Sequence, residues 1–173
     1  MKHHAVQLYE YHIWANERIF QQLKELPEEA CRQEIQSIFS SVYSALVHIY
    51  TADHIWLYAM AGESFEKIRE AIGGITEETN GKSAEELQQL FRTASERYKE
   101  FLAGLPDLDA TTQYRHPTYG VLETRYSDIV QHVVNHGTYH RGNIAAMLRQ
   151  QGYAGVPTDY VFYLYELSQQ AQA

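Results

Sequence analysis

At 173 residues, with 45% hydrophobic and 21% charged residues, the chain has the size and balance of one ordinary folded domain spanning 1–173, and not of a disordered segment. Its formal net charge of −8 argues against a surface that tracks nucleic-acid phosphates, and no run of basic residues offsets that average. Cys31 is the only cysteine, which excludes an internal disulfide and a cysteine-based zinc finger and turns any metal site toward His and carboxylate ligands.

The N-terminal stretch has no long apolar signal region, and no segment approaches membrane-span length, so the cytoplasm is the expected location and no membrane partner is expected. Helical periodicity dominates from there on. Val6, Tyr9, Ile13, Phe20 and Leu23 mark a first helix over about His3–Leu26, stopped by Pro27. Ser37–Ala61 reads as a second helix with Val42, Leu46, Ile49 and Leu57 on its apolar side and Gly62 just past its end. Glu63–Lys82, with its Gly73-Gly74 pair, reads as a connection holding one or two helical turns. Ser83 and Glu86 have capping-box spacing and start a third helix that runs to about Leu102. Between Pro106 and Arg125 the Thr- and Tyr-rich composition, with Pro117 and Gly120, predicts a long connection that includes a small hairpin. A fourth helix covers Tyr126–Gln151, and a short aromatic helix covers Thr158–Ser168. The pattern predicts an all-α fold: an antiparallel four-helix bundle with a long connection between its third and fourth helices and a short C-terminal helix.

The fourth helix carries the chemistry. His132, His136 and His140 are spaced four apart, so they fall on one helix face, and two imidazoles so placed can grip one metal ion. All three cannot, because His132 and His140 are separated by about 12 Å of helix rise. His136 belongs to either pair; the bundle-facing stripe through Ile129, Val133, Ile144 and Met147 favours His136 with His140. Gly137 and Gly142 leave room beside them for a ligand or a neighbouring helix. The third ligand must come from another helix, and His48, mid-helix among apolar neighbours where a bare imidazole needs a partner, is the candidate. The metal set is therefore His48, His136 and His140.

The remaining polar residues have plainer readings. His54 belongs to an outer or interhelical polar face, and His3, His4 and His12 are expected to be solvated. His116 is a loop residue able to overhang the site; Glu123 and Asp128 suit the first turn of a helix. Asn16 reads as a buried amide tying helices together, and Cys31 as a small buried hydrophobe. Asn135, Tyr139, Arg141 and Asn143 flank the ligands and read as packing or surface residues, with substrate orientation the sharper alternative. No residue is assigned a catalytic role. The aromatic segment Tyr160–Leu167 is apolar on more than one face, which predicts a homodimer.

Three stretches together resemble the DinB/YfiT-like superfamily over nearly the whole chain. Tyr11–Phe20 is similar to its opening helix, with the Trp-x-Asn signature at Trp14 and Asn16. Ser40–Leu57 is similar to its second helix, with its single His at His48. His132–Ile144 resembles its fourth-helix signature of two His four apart followed by Arg-Gly, here His136, His140, Arg141 and Gly142. The resemblance implies a bundle with a three-His site for one divalent ion (nickel, zinc or iron) and frequent homodimers. Some members of the superfamily are transferases or isomerases that use low-molecular-weight thiols such as bacillithiol or mycothiol; others are described as metal-dependent hydrolases. The functional expectation is a metal-dependent enzyme acting on a small molecule, thiol transfer ahead of hydrolysis, with a non-enzymatic structural or metal-sensing bundle as the alternative.

Overall fold

The computed structural model describes residues 2–171. In chain order its elements are α1 (His4–Lys24), α2 (Glu29–Arg32), α3 (Val42–Met60), α4 (Phe65–Thr79), α5 (Ala84–Gly104), β1 (Thr111–His116), β2 (Gly120–Arg125), α6 (Tyr126–Gln150) and α7 (Tyr160–Gln170). The long helices α1, α3, α5 and α6 make the bundle. Each of α1 and α3 packs on both α5 and α6, so α6 is flanked by α1 on one side and α3 on the other.

Local chemistry sets the boundaries. α5 begins where expected, with Ser83 and Glu86 closing a reciprocal capping box. α3 starts at Val42, five residues later than the sequence pattern suggests, because Ser41 and Ser44 cap each other there. The chain before that cap is bent, and this frees Phe39 to pack over the rings of His48 and His140. β1 and β2 form the expected hairpin, an antiparallel pair running from Thr111↔Arg125 to His116↔Gly120. Gly120 supplies the left-handed residue at the turn, with φ of 82°.

The stretch after α3 is more regular than its glycines suggest. It is a helix of 15 residues, α4, that places Ile75 and Thr79 in the interior. Gly73 and Gly74 sit on its outer side, where an added Cβ would meet nothing within 4 Å. α4 carries the chain back along the bundle. As a result α3 and α5 run the same way: Tyr50 meets Phe91, and further along both helices Tyr58 and Arg97 line one cleft. α3 and α6 run in opposite directions, with His48 beside His140 and Trp56 beside His132.

The interior is divided. One apolar cluster is built on Ile19, Phe20, Leu46, Ile49, Leu87, Phe91, Ile144 and Met147. A second, nearer the hairpin, holds Tyr9, Ala15, Tyr98, Val130, Val133 and Val134. Where one cluster gives way to the other lie the buried polar residues Asn16 on α1, Asp53 on α3 and Arg141 on α6, with His12 one turn before Asn16. Against the expectation of a solvated side chain, His12 is fully buried, because Tyr9, His12, Asn16 and Ile19 share the inward stripe of α1 at three- and four-residue spacing.

Leu46 is fully enclosed in the first cluster. Leu46→Ala should cost about 2–5 kcal/mol, seen as a lower urea midpoint with an unchanged slope.

Candidate metal centre

α3 and α6 pack against each other and bring together His48, His136 and His140. One ligand-capable atom from each lies within 4.8 Å of the others. The ring centroids are 5.0 Å apart for His48–His136, 4.5 Å for His48–His140 and 4.3 Å for His136–His140. Nε2 of His136 is 3.1 Å from Nε2 of His48. Two imidazole nitrogens bound to one ion at about 2.1 Å lie about 3.0–3.4 Å apart for ligand angles of about 90–109°. The His48–His136 pair thus has the spacing of two ligands on one ion, and the third nitrogen, within 4.8 Å of both, completes a donor set that could hold one. His140 is buried, and His48 and His136 are half-buried and reachable from solvent.

All three imidazoles are held in the neutral, electron-pair-donating form. Burial lowers the pKa of His48. Burial, then the neighbouring His48, lowers that of His140. His136 falls from 6.5 to about 4, through burial first and then through crowding by His140, His48 and His132. Asn143, half-buried one turn beyond His140, lies 3.3 Å from its Nδ1 through the side-chain amide. With Nε2 of His140 on an ion, Nδ1 would carry the ring proton, and the Asn143 amide would have to turn its oxygen toward it to accept that proton and fix the ring.

The other sequence candidates fall elsewhere. His132 is exposed one turn before His136, its ring 4.8 Å from Trp56, and it stands outside the cluster. His54 is buried, with Nδ1 2.9 Å from the Tyr50 carbonyl, in the cleft between α3, α4 and α5. His116 accepts hydrogen bonds from the amides of Thr118 and Tyr119 and organises the hairpin turn. His3 caps α1 by accepting from the amide of Ala5, and His4 is exposed. Glu123 is not a first-turn helix acid: it lies in β2 opposite Gln113, since strand pairing continues to Arg125. Asp128 is one, bonded by Arg125, whose guanidinium holds the carboxyl well below its usual range. Cys31 is buried, and burial pushes its thiol up to about 11.

Arg141 is not a surface residue. It is 1% exposed and donates to Asn16 Oδ1 at 2.9 Å and to Thr138 Oγ1 at 2.9 Å. Its Nη1 lies 3.2 Å from Nδ1 of His12, whose Nε2 lies 3.0 Å from Asp53. A guanidinium only donates, so Nδ1 of His12 accepts and the ring proton is assigned to Nε2; of Asp53 and the Asn16 amide nitrogen, both 3.0 Å from Nε2, only the carboxylate can accept it. Asn16 is the buried amide expected from the sequence. The signal for Arg141 and His12 is present there only as motif membership and helix register; their charge points the other way.

Among known proteins, the DinB family model matches residues 1–171. Protein DinB of Bacillus subtilis (strain 168) is 46% identical over 165 residues, which cover 95% of this chain and 96% of that one. The crystal structure of a DinB-like protein from Bacillus cereus ATCC 10987 superposes with a TM-score of 0.63 at 20% identity, covering 88% of this chain and 94% of that one. A second DinB-like protein, from Bacillus subtilis, gives 0.57 at 17% identity, with 87% and 95% covered. At such identities these two structures speak for the fold alone.

The depressed pKa values have a consequence for the metal-free protein. Each of the three imidazoles takes up a proton more readily in the unfolded chain, near 6.5, than in the fold. Stability that is complete above about pH 6.5 is therefore lost as pH falls through the window down to about 4. Urea unfolding of metal-free protein at about pH 7.5 and about pH 5 should show this loss, and His136→Gln should reduce it. An equal loss in that variant would contradict the assignment.

Proposed function

This chain belongs to the DinB family, and from that premise we propose that it is a divalent-metal-dependent enzyme acting on a small molecule, with His48, His136 and His140 as its metal ligands. The observation that carries the reading is the convergence of three neutral imidazoles from two helices at ligand spacing. Zinc, nickel and iron are all compatible with three nitrogen donors. When bound, such an ion supplies Lewis acidity at an open coordination position, where a water or a thiol becomes a nucleophile near neutral pH.

Of the two nucleophiles we favour a low-molecular-weight thiol delivered to an electrophile. The chain's own thiol is poorly suited to that role, since Cys31 is buried, its pKa is raised to about 11, and it packs in the apolar cluster of Ile19, Phe20 and Leu46. A thiol cosubstrate must therefore come from outside. His48 and His136 keep solvent access for it, while Phe39 and Tyr139 place aromatic rings 5.2 and 5.0 Å from His140 as walls for an apolar part. Among the described residues no helix is long and apolar enough to cross a membrane. Residence in the cytoplasm, where small thiols stay reduced, belongs to the same reading.

Untagged protein should contain about one divalent ion per chain, and alanine at His48, His136 or His140 should lower that content at least about tenfold, while His54→Ala should not. Turnover should require both ion and thiol, vanish in His136→Ala and His140→Ala, and persist in Cys31→Ser. Thiol-independent turnover of an ester or amide would move the assignment to hydrolysis. Unfolding on chelation, without turnover by loaded protein, would mark a structural site.

Assembly is part of the proposal. α7 keeps Tyr163 inward but exposes Val161, Phe162, Leu164 and Tyr165, an apolar strip of a kind that a second copy of the chain commonly covers. Sedimentation at tens of micromolar should give a dimer, and Phe162→Glu with Tyr165→Glu should give a monomer. A wild-type monomer under those conditions would refute it.

A further inference from the structure

We propose that His12 and Arg141 are positioning residues for the metal centre: through them α1 sets the rotation of α6 and its distance from α3. This inference rests on the metal-binding reading above. α6 turns about 100° per residue. The stripe His136–His140 faces α3 and His48, and the adjacent stripe, Gly137–Arg141, faces α1. Each member of the second stripe directly follows a member of the first.

Contacts on the second stripe are close and specific. A Cβ at Gly137 would lie 2.3 Å from Cε1 and 2.6 Å from Nδ1 of His12, so only glycine lets the imidazole rest on the helix. One turn on, the Arg141 guanidinium meets that same Nδ1 and also Asn16, four residues after His12. The same imidazole then reaches Asp53 on α3, five residues beyond His48. His12 thus joins both ligand-bearing helices at a single ring that is 0% exposed. Rotating α6 enough to turn His136 or His140 away from His48 would break the Arg141 bonds to His12 and Asn16 and part the buried guanidinium from the carboxylate it is bridged to. α6 has two side-chain stripes but only one rotation, so the network that binds Nη1 and Nη2 of Arg141 also aims the two ligands.

Cobalt(II) is a suitable probe, because its visible bands report ligand number and geometry. Arg141→Met keeps most of the volume and removes the donors; it should fold, bind cobalt about tenfold or more weakly than wild type, and show shifted visible bands. Arg141→Lys, which still donates to Asn16 and His12, should recover part of both. Asn16→Ala removes one acceptor from the guanidinium and should show the same changes in smaller measure; it carries the test if Arg141→Met does not fold. Lower stability of the metal-free variants with wild-type cobalt affinity and spectrum would overturn the proposal and leave the network a structural element only. A wild-type protein that binds no cobalt would instead remove the metal reading, and this inference with it.

Discussion

A buried ion pair bridged by an imidazole holds the middle of this bundle. Asp53 on α3 and Arg141 on α6 are both nearly inaccessible, and His12 on α1 stands between them, donating to one and accepting from the other. Taking two charges out of water costs several kcal/mol each, and removing one partner strands the other. The layer is therefore stable only as a set. Asn16 and Thr138 are part of that set, since they take further guanidinium protons. Apolar clusters above and below the layer drive association of the helices. They are non-directional, and the polar layer supplies the register that they lack.

The candidate centre inherits that register. His136 and His140 directly precede Gly137 and Arg141, the backbone positions that His12 and the guanidinium network pin, and His48 lies one and a half turns from Asp53 on the same helix. The three imidazoles come to ligand spacing with two of them still open to solvent. An arrangement with three protein donors and an accessible side suits chemistry on an incoming molecule better than a closed structural clamp.

Much of this is legible in the sequence. The four-residue spacing of His136 and His140 points to one helix face, and the apolar surroundings of His48 point to an interior third donor; the structure brings these three side chains together. The Ser83–Glu86 box and the Gly120 hairpin are likewise local signals with local outcomes. The features that the sequence does not display are non-local. His12 and Arg141 look like solvent-seeking residues until each is seen to satisfy the other in the interior. The Gly73-Gly74 pair looks like a break, yet Ile68, Ile72, Ile75 and Thr79 give α4 an inward face, and packing of that face outweighs the roughly 1 kcal/mol that each glycine costs a helix. The late start of α3 depends on a Ser–Ser cap, which the apolar pattern alone does not register.

We infer one divalent ion between α3 and α6, held by three histidines. Anomalous diffraction at a metal edge, from crystals of untagged protein equilibrated with zinc, tests it most directly. The expected result is one strong peak per chain, about 2.1 Å from a ring nitrogen of each of His48, His136 and His140, with no fourth side chain in contact. A peak ligated through His132 or His54 in place of any of the three, or no peak between α3 and α6, would contradict it.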